Sequence, residues 1–126
     1  MAFPQFFANR MRDLGSFGED VAAKYLRKAG YRVVERNFRC KFGEIDLIVE
    51  RDEYLVFVEV KTRTRNKYSI NPLISITEAK RRRIRLLSQL YSVQNQVYSK
   101  QPRFDVIGVE FITKRDYKVE HIENAF

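Results

Sequence analysis

Asp46 and Glu59 stand where acids rarely do. Asp46 lies in the run Gly43-Glu44-Ile45-Asp46-Leu47-Ile48-Val49, and Glu59 in Tyr54-Leu55-Val56-Phe57-Val58-Glu59-Val60-Lys61. Both runs are mostly Ile, Leu, Val and Phe, so each strand has at least one buried face, and buried acids are normally paired or metal-bound. Alternation puts Glu44 and Asp46 on one face of their strand, and Glu59 and Lys61 on one face of theirs. A two-residue turn at Asp52-Glu53 would pair Arg51 with Tyr54, so that Asp46 meets Glu59 and Glu44 meets Lys61. A four-residue loop gives the same pairing, whereas a three-residue loop sends the two acids to opposite faces.

Opposed residues in an antiparallel pair have Cβ atoms about 4.5–5.5 Å apart. Two carboxylates that close repel, and one keeps a proton unless a cation lies between them. A hard divalent cation with oxygen ligands answers this, Mg²⁺ first and Mn²⁺ as its substitute. Lys61, one pleat away, could orient a water or stabilise charge developing on a phosphate. The competing reading is an ordinary solvated sheet face with a Glu44–Lys61 pair and an incidental Asp–Glu contact.

The elements that must position these residues follow from pattern. Residues 1–15 read as a loose lead-in to one domain over 16–126. Ser16-Phe17-Gly18-Glu19 has capping-box spacing, with Ser16 as N-cap and Glu19 at N3. Phe17, Val21, Ala22, Tyr25, Leu26 and Ala29 follow at helical spacing, and Gly30 closes the helix at C′. Strands are predicted over Tyr31–Phe38, Gly43–Val49 and Tyr54–Lys61. Thr62 to Pro72 is a polar loop. Ser75-x-x-Glu78 repeats the capping pattern and starts a long helix to about Tyr91, with Ile76, Ala79, Ile84, Leu87, Leu90 and Tyr91 inward. Phe104–Ile112 and Tyr117–Ile122 complete the strands, the last at the edge. Tight turns make the first three strands an antiparallel meander, and the long helix makes strands three and four parallel. The fold class is therefore α/β, a mixed sheet flanked by helices.

The chain has 126 residues, 44% hydrophobic and 32% charged, enough for one globular domain. No apolar run is long enough for a membrane span, and the N-terminus lacks secretory-signal character. Cys40 is the only cysteine, which excludes an internal disulfide and points to a reducing cytoplasm. A net charge of +8 favours a polyanionic partner, nucleic acid before a membrane surface. The basic residues cluster beside the acids: Lys61, Arg63, Arg65 and Lys67 around the end of strand three, and Lys80, Arg81, Arg82, Arg83 and Arg85 at the start of the long helix. Positions 81, 82 and 85 can share an outer face, suited to phosphate contacts. Tyr68 could stack on a base. No base-reading helix is evident, so binding should select structure or backbone rather than sequence.

Other residues carry weaker readings. Glu19 is either the N3 cap residue or a site acid aimed at Asp46, and spacing favours the cap. Glu44 is either a supporting acid or a partner of Lys61. Asp105 bonds a neighbouring backbone group or supports the site from the next strand. His121, the only histidine, reads as a solvated edge residue.

Asp46 followed by Glu59-Val60-Lys61 after an apolar strand resembles the PD-(D/E)XK nuclease pattern. The longer string is more specific. Gly18-Glu19-Asp20, Gly30-Tyr31, Arg36-Asn37-Phe38-Arg39, Gly43 to Ile48, Phe57 to Arg63 and Arg103-Phe104-Asp105-Val106 together resemble the YraN family of putative endonucleases. The resemblance implies a restriction-endonuclease-like fold related to Holliday junction resolvases, and metal-dependent hydrolysis of DNA phosphodiesters, with DNA ahead of RNA and branched or flapped forms in view. By position, Asp46, Glu59 and the Val60 carbonyl would ligate Mg²⁺, Lys61 would be the catalytic lysine, and Glu19 matches an extra helical acid. Ile45 stands where the motif name has proline. A homodimer follows by analogy with the resolvases. The alternative is a nucleic-acid-binding protein that keeps the fold without the chemistry.

Overall fold

The apolar alternation of the strands is resolved by two helices, one on each face of a single sheet. The computed structural model describes residues 3–65, 76–113 and 115–126, with side chains from residue 14 onward. In chain order the elements are α1 (Phe3–Lys28), β1 (Arg32–Cys40), β2 (Gly43–Arg51), β3 (Tyr54–Thr64), α2 (Glu78–Gln94), β4 (Gln101–Phe111) and β5 (Tyr117–Ile122). The sheet has five strands in the order β1-β2-β3-β4-β5. β1 to β3 form the antiparallel meander, β4 runs parallel to β3 after the helical crossover, and β5 returns antiparallel at the edge. This is the mixed α/β sheet expected of a restriction-endonuclease-like core.

Side-chain alternation divides the core in two. Leu47, Val49, Val56, Val58, Ile107 and Val109 face α1 and pack on Ala22, Ala23 and Leu26. Ile48, Leu55 and Phe57 face α2 and pack on Leu87 and Tyr91. α1 crosses the sheet closely at Gly18. A Cβ there would lie 2.9 Å from both Cβ and Cγ2 of Thr62, so only glycine fits.

The end of α1 matches its signal. Gly30 has φ +92°, and the Gly30 and Tyr31 N–H groups donate to the Arg27 and Leu26 carbonyls, the pattern of a Schellman motif. Its start does not. The helix begins at Phe3, so Ser16 lies inside it and Glu19 is no N3 cap residue. A capping box is a local signal, and a continuing helix supplies the same amides with carbonyl partners.

α2 begins at Glu78, with Thr77 as N-cap; its Oγ1 accepts from the Lys80 N–H at 3.1 Å. Thr77, not Ser75, is thus the cap, and Ser75 lies outside the described residues. Ile76, Ile84, Leu87 and Tyr91 are buried as expected, whereas Ala79 and Leu90 are exposed. At about 100° per residue, Ala79 and Leu90 sit roughly 110° or more from the centre of the buried stripe.

Candidate active site

The β2–β3 hairpin turns through Asp52 and Glu53, with Arg51 paired to Tyr54. The turn is even-numbered, as an Asp46–Glu59 meeting requires. The ladder runs from there to Leu47–Val58 and stops one pair short of these acids. Asp46 takes over at that point: its Oδ2 accepts the Val60 N–H at 2.8 Å. A side chain thus replaces a strand carbonyl as acceptor, and the two strands part at the site.

Asp46 is half-buried, and Glu59 is 8% exposed. Burial first, then the charge of Glu59, pushes Asp46 up to about 7; the Val60 N–H opposes this, while Glu19 and Glu44 add to it. Glu59 does not stand alone. Its Oε1 receives Lys80 Nζ at 2.6 Å and lies 3.7 Å from Lys61 Nζ. Burial lowers Lys61 below the ordinary lysine value, and neighbouring Lys80 adds to the fall while Glu59 opposes it. Lys80 is also penalised by burial, but its hydrogen bond and attraction to Glu59 outweigh this and hold it above that value.

Asp46, Glu59 and Lys61 therefore converge, as their spacing predicts. Glu19 reaches Asp46 electrostatically from α1, and its Oε2 lies 3.4 Å from Asn37 Nδ2 and 3.8 Å from Arg36. With the cap role gone, Glu19 is tied to Asn37 and Arg36 on β1 and acts on Asp46 through its charge. Glu44 does not pair with Lys61. It accepts from Arg39 Nε at 2.8 Å, its cross-strand neighbour on β1, because the parting of β2 from β3 leaves β1 as the nearer strand.

Asp105 joins a different cluster. It is fully buried on the α1 face, bonded to Arg103 Nε at 3.0 Å and Nη2 at 2.8 Å, to His121 Nε2 at 2.7 Å and to the Asn124 N–H at 3.0 Å. Parity explains this, since Asp105 pairs with Val58, which faces α1, while Glu59 and Lys61 face α2. His121 is not solvated. Its side chain is 6% exposed, with Nδ1 3.3 Å from the Tyr25 hydroxyl.

The basic clusters separate too. Arg63 and Arg65 lie 3.3 and 3.8 Å from Glu110. Arg81 and Arg85 rest on the Phe126 ring at 5.7 and 5.6 Å. Arg82 stays exposed, 3.6 Å from Glu78. Lys67 and Tyr68 lie outside the described residues. Lys80 is the site residue that pattern did not single out: it was one of a basic run, and only the true cap, Thr77, sets which of that run meets β3.

Among the described residues, no group of three or more His, Cys, Asp or Glu side chains could hold a metal ion. The two carboxylates, Asp46 and Glu59, are the oxygen donors that a hard cation takes, and in the metal-free protein the Lys80 ammonium holds Glu59 instead. No described helix is long and apolar enough to cross a membrane.

The family model described as "Uncharacterised protein family UPF0102", the YraN family, matches residues 18–109. A UPF0102 protein of Clostridium botulinum (strain Loch Maree / Type A3) is 45% identical over 117 residues, covering 91% of this chain and 94% of its own. One from Clostridium kluyveri is 42% identical over 116 residues, with the same coverage. The family match spans Glu19, Asp46, Glu59, Lys61 and Lys80.

Proposed function

We propose that this chain, which belongs to the UPF0102 (YraN) family, is a divalent-metal-dependent endonuclease acting on DNA. The observation that carries the reading is the meeting of Asp46, Glu59 and Lys61 where β2 and β3 part. Burial and the charge of Glu59 hold Asp46 up at about 7, a cost that a proton relieves in the metal-free protein and that a bound cation would relieve in its place. Asp46 and Glu59 would hold Mg²⁺ or Mn²⁺, with the Val60 carbonyl as a further oxygen. Once bound, the ion would polarise a phosphoryl oxygen and lower the pKa of a water. Lys61, half-buried and already one pleat from the acids, would balance charge at the phosphate. Exposed Arg82 would meet the backbone of the duplex. Branched or flapped DNA is the substrate class in view, and a reducing cytoplasm suits the free, exposed Cys40.

The test is a panel of linear, flapped, single-stranded and four-way DNAs with Mg²⁺ or Mn²⁺. Asp46→Asn should abolish cleavage and leave binding intact or tighter. Equal cleavage by wild type and variant would refute the assignment. A second reading draws on the Lys80–Glu59 pair, which satisfies Glu59 without any metal. A binding module of this kind would hold DNA in a salt-sensitive way and cut none of the panel.

A further inference from the structure

We propose that Lys80 is a displaceable counter-ion of Glu59. Its ammonium holds the carboxylate while no metal is bound, and it competes with a divalent cation for the same oxygen. The inference rests on the metal-dependent reading above and adds a residue to it. Glu59 is buried in an apolar strand, where an ionised acid needs a cation beside it. Lys80 is the nearer of its lysines, at 2.6 Å against 3.7 Å for Lys61, and both address Oε1. Two ammoniums around one carboxylate oxygen repel an incoming divalent ion, so entry requires one of them to withdraw. Lys61 is tied to β3 itself. Lys80 comes from the first turn of α2, where the Thr77 cap fixes its backbone and leaves its side chain 36% exposed. A flexible four-carbon stem lets the ammonium move to solvent or phosphate while the helix stays put.

The experiment is calorimetric titration of Mn²⁺ alone into wild type, Lys80→Met, Lys80→Arg and Asp46→Asn, with melting temperatures in chelator and in Mn²⁺. Lys80→Met should tighten Mn²⁺ binding by about tenfold, the scale of one lost charge-assisted hydrogen bond. It should also melt lower than wild type in chelator and regain more on adding Mn²⁺. Lys80→Arg, which keeps the charge, should bind Mn²⁺ as wild type does. If Lys80→Met does not fold, Lys80→Gln carries the same expectation. Wild-type binding that Asp46→Asn removes but Lys80→Met leaves unchanged or weaker overturns this inference alone. No Mn²⁺ binding by either wild type or Lys80→Met overturns the metal-dependent reading with it.

Discussion

Asp46→Asn should stabilise the metal-free protein at alkaline pH. In the folded chain the Asp46 carboxyl is raised from 3.8 to about 7, by burial and by Glu59. The folded state therefore holds this proton more firmly than the unfolded state does. Between about pH 4 and 7 the folded chain binds more protons at this group, so its contribution to stability falls as pH rises through that window and is flat above it. At about 1.36 kcal/mol per unit, the rise corresponds to roughly 4 kcal/mol at pH 8, as an upper bound. Asparagine has no charge to desolvate, and its carbonyl can still accept the Val60 N–H that Asp46 accepts at 2.8 Å. Urea denaturation in chelator at pH 4.5, 6 and 8 measures the gap between the two proteins, and other titrating groups largely cancel in the difference. The variant should be the more stable by about 2–4 kcal/mol at pH 8, with the gap closing to about 1 kcal/mol or less at pH 4.5. A variant that is equal or weaker at pH 8, or a gap that does not shrink with acid, refutes the claim that burial and Glu59 hold the Asp46 carboxyl up.

Asp105 titrates with the opposite sign. Burial alone would raise it, but His121, Arg103 and the Asn124 N–H hold it below the ordinary aspartate value. Its contribution is present above the unfolded pKa and is lost as pH falls through the folded one. Asp105→Ala strands the buried Arg103 charge and should cost about 3–5 kcal/mol in urea denaturation at pH 7; a loss under about 1 kcal/mol would show the cluster to be dispensable. Gly18→Ala should destabilise by about 1–3 kcal/mol although alanine is the better helix former, because the new methyl meets Thr62. Unchanged or raised stability in thermal melts would mean that α1 does not sit on β3 as closely as described.

The strands were legible because each leaves a period-two pattern, and the hairpin register because it depends only on turn length. That arithmetic brought Asp46 and Glu59 together. It did not reveal that the ladder ends at Leu47–Val58, since nothing in an alternating run marks where a side chain will displace a carbonyl. The Glu44–Lys61 pair failed for the same reason: it assumed a ladder that continues. Local signals misled where two candidates competed. Ser16 and Ser75 each have capping-box spacing, yet one lies within a helix and the other precedes the true cap, Thr77. His121 looked solvated because a lone histidine on an edge strand usually is. Its partners, Asp105 and Tyr25, lie on separate elements, and only packing brings them together.

Lys80 shows what the crossover contributes, and Glu19 what the first helix does. The site lies at the carboxyl end of β3, the strand from which the chain departs to α2 before returning as parallel β4. In open α/β sheets that end is where functional groups collect, because connections leave there and helix N-termini arrive there. Here α2 delivers Lys80 from its first turn, and α1 delivers Glu19 one residue from the Gly18–Thr62 contact. Each helix is thus pinned beside the residue it supplies, by the Thr77 cap in one case and by the missing Cβ of Gly18 in the other. β2 and β3 part at the acids, which nevertheless stay largely buried. Continuous pairing would have left Asp46 a cross-strand neighbour with its backbone satisfied and its carboxylate without a fixed orientation. The interruption fixes one oxygen of Asp46 on the Val60 N–H, while the charge of Glu59 acts on the same carboxyl and helps to raise it.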